Sequence, residues 1–128
     1  MSERSRYIVG IDLGTTNSVV AYLDTAAHAE NDAVEPVPAP TVLPIPQVVQ
    51  PGQVESRPHL PSFLYLAGES DFPAKALDLP WASGKNRNYV VGELARQRGA
   101  EVPLRLVSSA KSWLCHDGID LTGPVLPW

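Results

Sequence analysis

Cysteine, basic excess and long apolar runs are scarce in this sequence. It has 128 residues and one cysteine, Cys115, so no disulfide can form within the chain, and no Cys/His cluster has the spacing of a zinc site. Charged residues make up only 19%, with fourteen acidic against ten basic side chains and a net charge of −4. Because no basic excess is available to neutralise a phosphate backbone, we expect no nucleic-acid partner.

The apolar runs are also too short to cross a bilayer, which takes roughly 20 residues. The first six residues, MSERSR, are polar and are not followed by the apolar core of a secretory signal. Hydrophobic residues nevertheless make up 44% of the chain, enough for a packed core. We therefore expect a cytoplasmic protein with a folded core and no membrane partner.

Proline, in contrast, is abundant. The chain has thirteen prolines, and eight of them fall between Pro36 and Pro61. Proline fixes φ and lacks a backbone donor, which predicts an extended proline-rich connector over residues 25–61, most clearly over 25–46. A second segment, residues 68–88, is rich in turn formers and is predicted to be an insertion.

Short apolar runs and three-to-four spacings predict the remaining elements. Residues 7–11 and 19–23 are rich in β-branched and aromatic side chains and flank a short polar connection, which is typical of a β-hairpin. By the same criteria, further strands are predicted at 62–67 and 88–92, and helices from Glu93 and from Pro103, the latter on the spacing of Leu104, Val107, Ala110 and Trp113.

The connection inside the hairpin carries the chemistry. A tight turn at Gly14, Thr15, Thr16 and Asn17 can aim several backbone N–H groups at one anion, and its hydroxyls add further donors. Gly14 offers close approach and a backbone that tolerates φ > 0. Asp12 places a carboxylate beside the turn, which suits Mg²⁺ held mostly through water. The residues alone leave two interpretations open, a phosphate site and an ordinary polar hairpin turn; neither a P-loop nor a Rossmann fingerprint is present.

The string GIDLGTTNS at residues 10–18 closely resembles the first phosphate motif of the seventy-kilodalton heat-shock chaperones, the DnaK type. Three weaker matches follow in the family's order: PSFLY at 61–65 resembles its "TPS" strand, YVVGELA at 89–95 its "VGxxA" segment, and SAKSWL at 109–114 its lysine-bearing helix. The resemblance implies an α/β chain, the N-terminal part of an actin-like, ribonuclease H-like ATPase domain.

The same resemblance implies roles for individual residues. Asp12 would support Mg²⁺ through water, and residues 14–17 would hold the β- and γ-phosphates of ATP or ADP. Lys111 matches the family's catalytic lysine; the residues alone would make it a solvated helix lysine. The implied partners of the whole protein are unfolded peptide clients, a J-domain co-chaperone and a nucleotide-exchange factor.

The chain also departs from the family pattern. Residues 25–60 and 68–88 are longer than the corresponding family segments, and the second phosphate motif, the adenosine segment and the peptide-binding domain are missing. We therefore expect a divergent member, represented by an N-terminal segment. Two alternatives stay open: an actin-fold sugar kinase, which shares a "GIDxGTT" hairpin, and a non-enzymatic module that retains only the phosphate hairpin.

Overall fold

Nine short strands and two helices form the described part of the chain, residues 5–28, 39–82, 87–120 and 122–125 of a computed structural model. Every strand pair is antiparallel, and the whole is a small α/β fold with few helices. The elements are β1 (Tyr7–Leu13), β2 (Asn17–Asp24), β3 (Thr41–Leu43), β4 (Ile45–Gln50), β5 (Gln53–Arg57), β6 (Leu60–Pro61), β7 (Phe63–Leu66), β8 (Tyr89–Val91), α1 (Glu93–Glu101), β9 (Leu106–Ser108) and α2 (Ala110–Trp113).

The predicted hairpin is confirmed as β1 and β2. The two strands pair without a register shift from Tyr7 opposite Asp24 to Leu13 opposite Ser18. On the far side of β2, β3 pairs along one stretch and β6 along another, with Pro61 opposite Asn17. β2 is thus the middle strand of an outer sheet, and β6 approaches it beside the turn.

The core lies in the other half of the fold. Strand β7 is the centre of a second sheet, in the order β8-β7-β9, and α1 packs on this sheet and on the β4–β5 hairpin. Apolar side chains from these elements and from the loop before β8 meet there because each element buries one face. The buried cluster comprises Val48, Tyr65, Leu77, Val90, Leu94 and Ala95.

Part of the predicted proline-rich connector is strand. Residues 41–43 and 45–50, expected to be an extended connector, form β3 and β4, and β5 and β6 also fall within residues 25–61. Pro46 sits inside β4, opposite Ser56. A two-stranded ladder leaves one edge of each strand open, so it tolerates a residue without an N–H. Of the connector, residues 29–38 lie outside the described residues.

The predicted helix from Pro103 is wrong in its first half. Pro103–Arg105 form a single 3-10 turn, and Val107 lies in β9, opposite Leu64 of β7. Leu104, counted as part of the apolar stripe, is fully exposed, so the three-to-four spacing was coincidental. Only Ala110–Trp113 is helical, after Ser109 turns the chain with a φ of 53°. Among the described residues, no helix is long and apolar enough to cross a membrane.

Candidate phosphate-binding turn

The turn between β1 and β2 needs glycine for space. A Cβ added to Gly14 would collide with the backbone carbonyl oxygen of Asn17. Gly14 tolerates a positive φ but does not use one: the described glycines with positive φ are Gly52 and Gly92. Gly14 is therefore required because two backbone segments approach each other too closely for any side chain.

Ser62, which lies between β6 and β7, holds the turn through two hydrogen bonds. Its backbone N–H donates to the carbonyl oxygen of Thr16 at 2.8 Å, and its hydroxyl donates to the carbonyl oxygen of Gly14, also at 2.8 Å. These bonds continue the pairing of β6 with β2, which places Pro61 opposite Asn17. Two carbonyl oxygens of the turn are thereby directed at Ser62.

The amides of the turn remain available. No hydrogen bond within the described ranges uses the backbone N–H of Gly14, Thr15 or Thr16 as donor. Gly14 and Thr15 are half-buried, and Thr16 is exposed. Successive backbone N–H groups without protein acceptors are able to donate to a bound anion.

Asp12 lies at the C-terminal end of β1, opposite Val19, and is exposed. In the part of the chain that the structure describes, no group of three or more His, Cys, Asp or Glu side chains could hold a metal ion. One carboxylate beside an anion site fits Mg²⁺, which keeps several waters and shares phosphate oxygens, rather than a metal cage made by the protein alone. The donors present thus fit a magnesium-bound phosphate ligand.

Lys111 is not brought into contact with the turn. It is exposed in α2, and it makes no hydrogen bond or ion pair with the described residues of the hairpin. The topology does bring the segment of Lys111 to the end of the β8-β7-β9 sheet at which Ser62 lies. Strand β9 pairs with β7 so that Ser108 lies opposite Phe63, the residue directly after Ser62. The chain then passes through Ser109, in the left-handed region, into α2.

The segment before Lys111 is anchored by a carboxylate that the sequence did not single out. One oxygen of Asp71, Oδ2, accepts hydrogen bonds from the Tyr65 hydroxyl at 2.9 Å, from the Gly68 backbone N–H at 2.9 Å and from the Arg105 guanidinium at 2.8 Å. The Gly68 and Tyr65 bonds, with the charge of Arg105, lower the pKa of Asp71. Burial and the bond to Asp71 raise the pKa of Tyr65. This network ties the predicted insertion to the residue before β9.

Gln47 is the other polar residue that sequence reasoning missed. It is 2% exposed, its amide donates to the carbonyl oxygen of His59, and its Oε1 accepts from the backbone N–H of Glu93, each at 2.9 Å. Gln47 thus caps the N-terminus of α1 from a distant strand, because Gly92 at the cap position has no side chain to do so. No local pattern marks this role, since the bonds join residues far apart in sequence.

A cavity of about 1000 Å³ lies elsewhere, in the turn-rich segment. It is open, and both signs of charge line it through Glu69, Lys75, Asp78 and Arg87. None of the predicted site residues borders it. This cavity is therefore separate from the candidate turn.

Comparison of this chain with protein-family models, with curated proteins and with solved structures finds no match.

Proposed function

We propose that this chain is the first part of a DnaK-type chaperone ATPase with an actin-like fold, and that residues 14–17 hold the β- and γ-phosphates of ATP. The observation that carries the proposal is the turn itself. Gly14 leaves no room for a side chain, Ser62 bonds two turn carbonyls, and the amides of residues 14–16 have no acceptor among the described residues. An ordinary hairpin turn does not require the combination of these three features.

The proposed roles follow from charge and position. The turn amides and the hydroxyls of Thr15 and Thr16 donate to phosphate oxygens, and Asp12 orients the waters of Mg²⁺. When bound, the magnesium ion neutralises phosphate charge. Lys111 supplies a further positive charge toward the terminal phosphate and positions the attacking water, as charge stabilisation dominates phosphoryl transfer. In the whole protein, such a site would serve peptide clients, a J-domain co-chaperone and an exchange factor.

Two features support the role of Lys111. Its segment leaves β9 at Ser108, which lies opposite Phe63, the residue that directly follows Ser62. Ser109, just before α2, holds a backbone conformation that costs a non-glycine residue roughly 1 kcal/mol or more, and such strain clusters at functional sites.

The decisive experiment measures ATP hydrolysis by the whole protein that contains this chain. Lys111→Gln is expected to slow turnover about a hundredfold, the usual cost of removing one charge-stabilising group. Asp12→Asn is expected to slow turnover and to raise the Mg²⁺ concentration that is required. Lys75→Gln, a matched change at another exposed lysine, should leave turnover unchanged. Equal turnover in the Lys111 and Lys75 variants would overturn the catalytic assignment.

Binding is tested on the 128-residue chain by NMR titration with Mg-ATP. We expect weak, millimolar binding, because one turn contacts only the phosphates, with shifts confined to the amides of residues 14–17. The turn at Gly52, which joins β4 to β5, is the internal control and should not shift. Shifts that leave residues 14–17 untouched would contradict the proposal.

A non-enzymatic phosphate-binding module is the second candidate. The observation that favours it is the exposed Lys111, which has no bond to the described turn. The two candidates differ in the whole protein: the module binds Mg-ATP at the turn without hydrolysing it, whereas the ATPase loses hydrolysis but retains binding in Lys111→Gln.

A further inference from the structure

The segment that holds the candidate turn is itself held at both ends. This segment, from His59 to Phe63 and here called the clamp segment, contains Ser62, which bonds the two turn carbonyls. At its start, the carbonyl oxygen of His59 accepts a hydrogen bond from the side-chain amide of Gln47 at 2.9 Å. At its end, the carbonyl oxygen of Phe63 accepts one from the backbone N–H of Gly92 at 3.1 Å. Ser62 therefore lies between two fixed points of the backbone.

Gln47 closes these contacts into a ring. Its Oε1 accepts from the backbone N–H of Glu93 at 2.9 Å, and Glu93 directly follows Gly92 in the chain. Three hydrogen bonds thus join the Gln47 side chain, the clamp segment and the start of α1 into a closed path, here called the Gln47 ring. A Cβ on Gly92 would lie 2.6 Å from Oε1 of Gln47 and 2.7 Å from a methyl carbon of Leu60. The ring can therefore close at this point because residue 92 is glycine.

Burial limits the ring to one arrangement. Gln47 is 2% exposed and, with Tyr65, is one of the largest fully buried side chains among the described residues. If the buried amide lost either partner, a polar group would be left without a hydrogen bond in the interior, which is costly. A fully bonded polar network therefore favours the one packing in which all its members are paired. An apolar side chain at position 47 would not impose this restriction on the clamp segment.

We propose that Gln47 is a positioning residue for the phosphate-binding turn. Through the Gln47 ring it fixes Ser62, and Ser62 in turn fixes the two turn carbonyls, so that the amides of residues 14–16 are held in one arrangement for phosphate. This inference rests on the proposed function of the turn. Gln47 lies in β4, within residues 25–60, where the chain departs from the family pattern, so the resemblance assigns it no role. A residue that only caps α1 would stabilise the fold without altering the turn.

The positioning role is tested first without a ligand, by NMR of the 128-residue chain. Gln47→Leu is compared with Leu77→Ala, which removes a buried side chain of the core cluster outside the ring and also destabilises the fold. We expect the amide shifts of residues 14–16 to change in Gln47→Leu and to match the wild type in Leu77→Ala. Turn shifts that are unchanged in folded Gln47→Leu, or equally changed in Leu77→Ala, overturn the proposal.

The consequence for binding is measured by calorimetric titration of the whole protein that contains this chain with Mg-ATP. We expect Gln47→Leu to raise the Kd about tenfold and Leu77→Ala to leave it within about twofold. In a Ser62→Ala background Gln47→Leu should have a smaller effect, because the hydroxyl through which the ring acts is already absent. Equal effects in both backgrounds overturn the proposal. A wild type that does not bind Mg-ATP contradicts the proposed function, whereas the turn shifts of the unliganded chain still decide whether Gln47 positions the turn.

Gln47→Glu provides a second test if Gln47→Leu does not fold. A protonated carboxyl accepts from the Glu93 N–H and donates to the His59 carbonyl oxygen, whereas a carboxylate cannot donate. Burial favours the protonated form of the new carboxyl, so lowering the pH should return the turn shifts toward wild-type values. The wild type at each pH is the reference, because Arg57, His59, Glu93 and Arg96 line the small cavity beside Gln47. Turn shifts that stay unchanged while the new carboxyl protonates overturn the proposal.

Discussion

The hydroxyl of Ser62 donates a hydrogen bond of 2.8 Å to the carbonyl oxygen of Gly14, across 48 residues of sequence. Ser62 also donates through its backbone to Thr16, at 2.8 Å. The shape of the turn is thus set by a residue between two other strands, β6 and β7.

Ser62→Ala removes the hydroxyl bond and keeps the backbone bond. We expect a loss of about 1 kcal/mol in unfolding free energy, because a half-buried carbonyl loses a neutral partner. The amide shifts of residues 14–17 on titration with Mg-ATP should also shrink. Chemical denaturation and NMR measure the two effects. Ser62→Thr, which keeps the hydroxyl, should restore both; if Ser62→Ala titrates like the wild type, the clamp does not shape the site.

Gly14→Ala should destabilise the chain by about 2 kcal/mol, since the new Cβ meets the carbonyl oxygen of Asn17 and the turn must open. Gly10→Ala is the control in the preceding strand, β1, because no atom lies within 4 Å of a Cβ placed there. Its unfolding free energy should stay within about 0.5 kcal/mol of the wild type. Thermal denaturation of the two variants gives the comparison, and equal midpoints would contradict the steric argument.

Gln47→Leu should cost about 2 to 3 kcal/mol, because the Glu93 N–H and the His59 carbonyl oxygen both lose a buried partner. Gln53→Leu is the matched control, since Gln53 is exposed and bonds only the Glu55 side chain. It should change the unfolding free energy by less than about 0.5 kcal/mol. If denaturation with urea shows equal losses in both, the long-range cap of α1 is not stabilising.

Asp71 predicts a particular pH dependence of stability. Its pKa is lower in the folded chain, chiefly through the Gly68 N–H and the Tyr65 hydroxyl, so the folded state binds its proton less readily than the unfolded state does. The stabilisation is therefore complete above the unfolded pKa, about 4, and is lost as pH falls through the lower, folded pKa.

Asp71→Asn should lower the melting temperature at pH 7, and the difference from wild type should narrow below about pH 4. Asp117→Asn, at an exposed aspartate outside this network, is the control and should leave the melting temperature at pH 7 close to that of the wild type. Calorimetry from pH 7 to well below pH 4 measures both variants. A difference between Asp71→Asn and wild type that stays constant down to low pH would exclude this carboxylate as a stabilising group.

Local elements were predictable where neighbouring residues determine them. The hairpin at β1 and β2 and the strand at β8 follow from apolar runs with turn formers between them, and the structure confirms them. The strand over Leu106–Ser108 was missed because it is stabilised by pairing with β7, a tertiary contact that overrode an apparent helical spacing.

The contacts that shape the candidate site were less predictable. Gly14 and the polar turn are visible in the sequence, but Ser62 acts on the turn from 48 residues away. Asp71 and Arg105 are separated by 34 residues, and nothing near either one indicates a partner. Such pairs depend on how the sheets pack against each other, and the hydrophobic periodicity of a single sequence does not indicate that packing.

The separation of the core from the outer hairpin has a consequence for hydrogen exchange. The buried cluster surrounds α1 and β7, whereas every residue of β1 is exposed. The amides of β1 and β2 should therefore exchange through a local opening of low free energy, and those of α1 only through global unfolding. A phosphate ligand bound at the turn would slow amide exchange in the hairpin and leave the exchange rates of α1 unchanged. Amide exchange therefore measures ligand binding at the turn separately from overall stability.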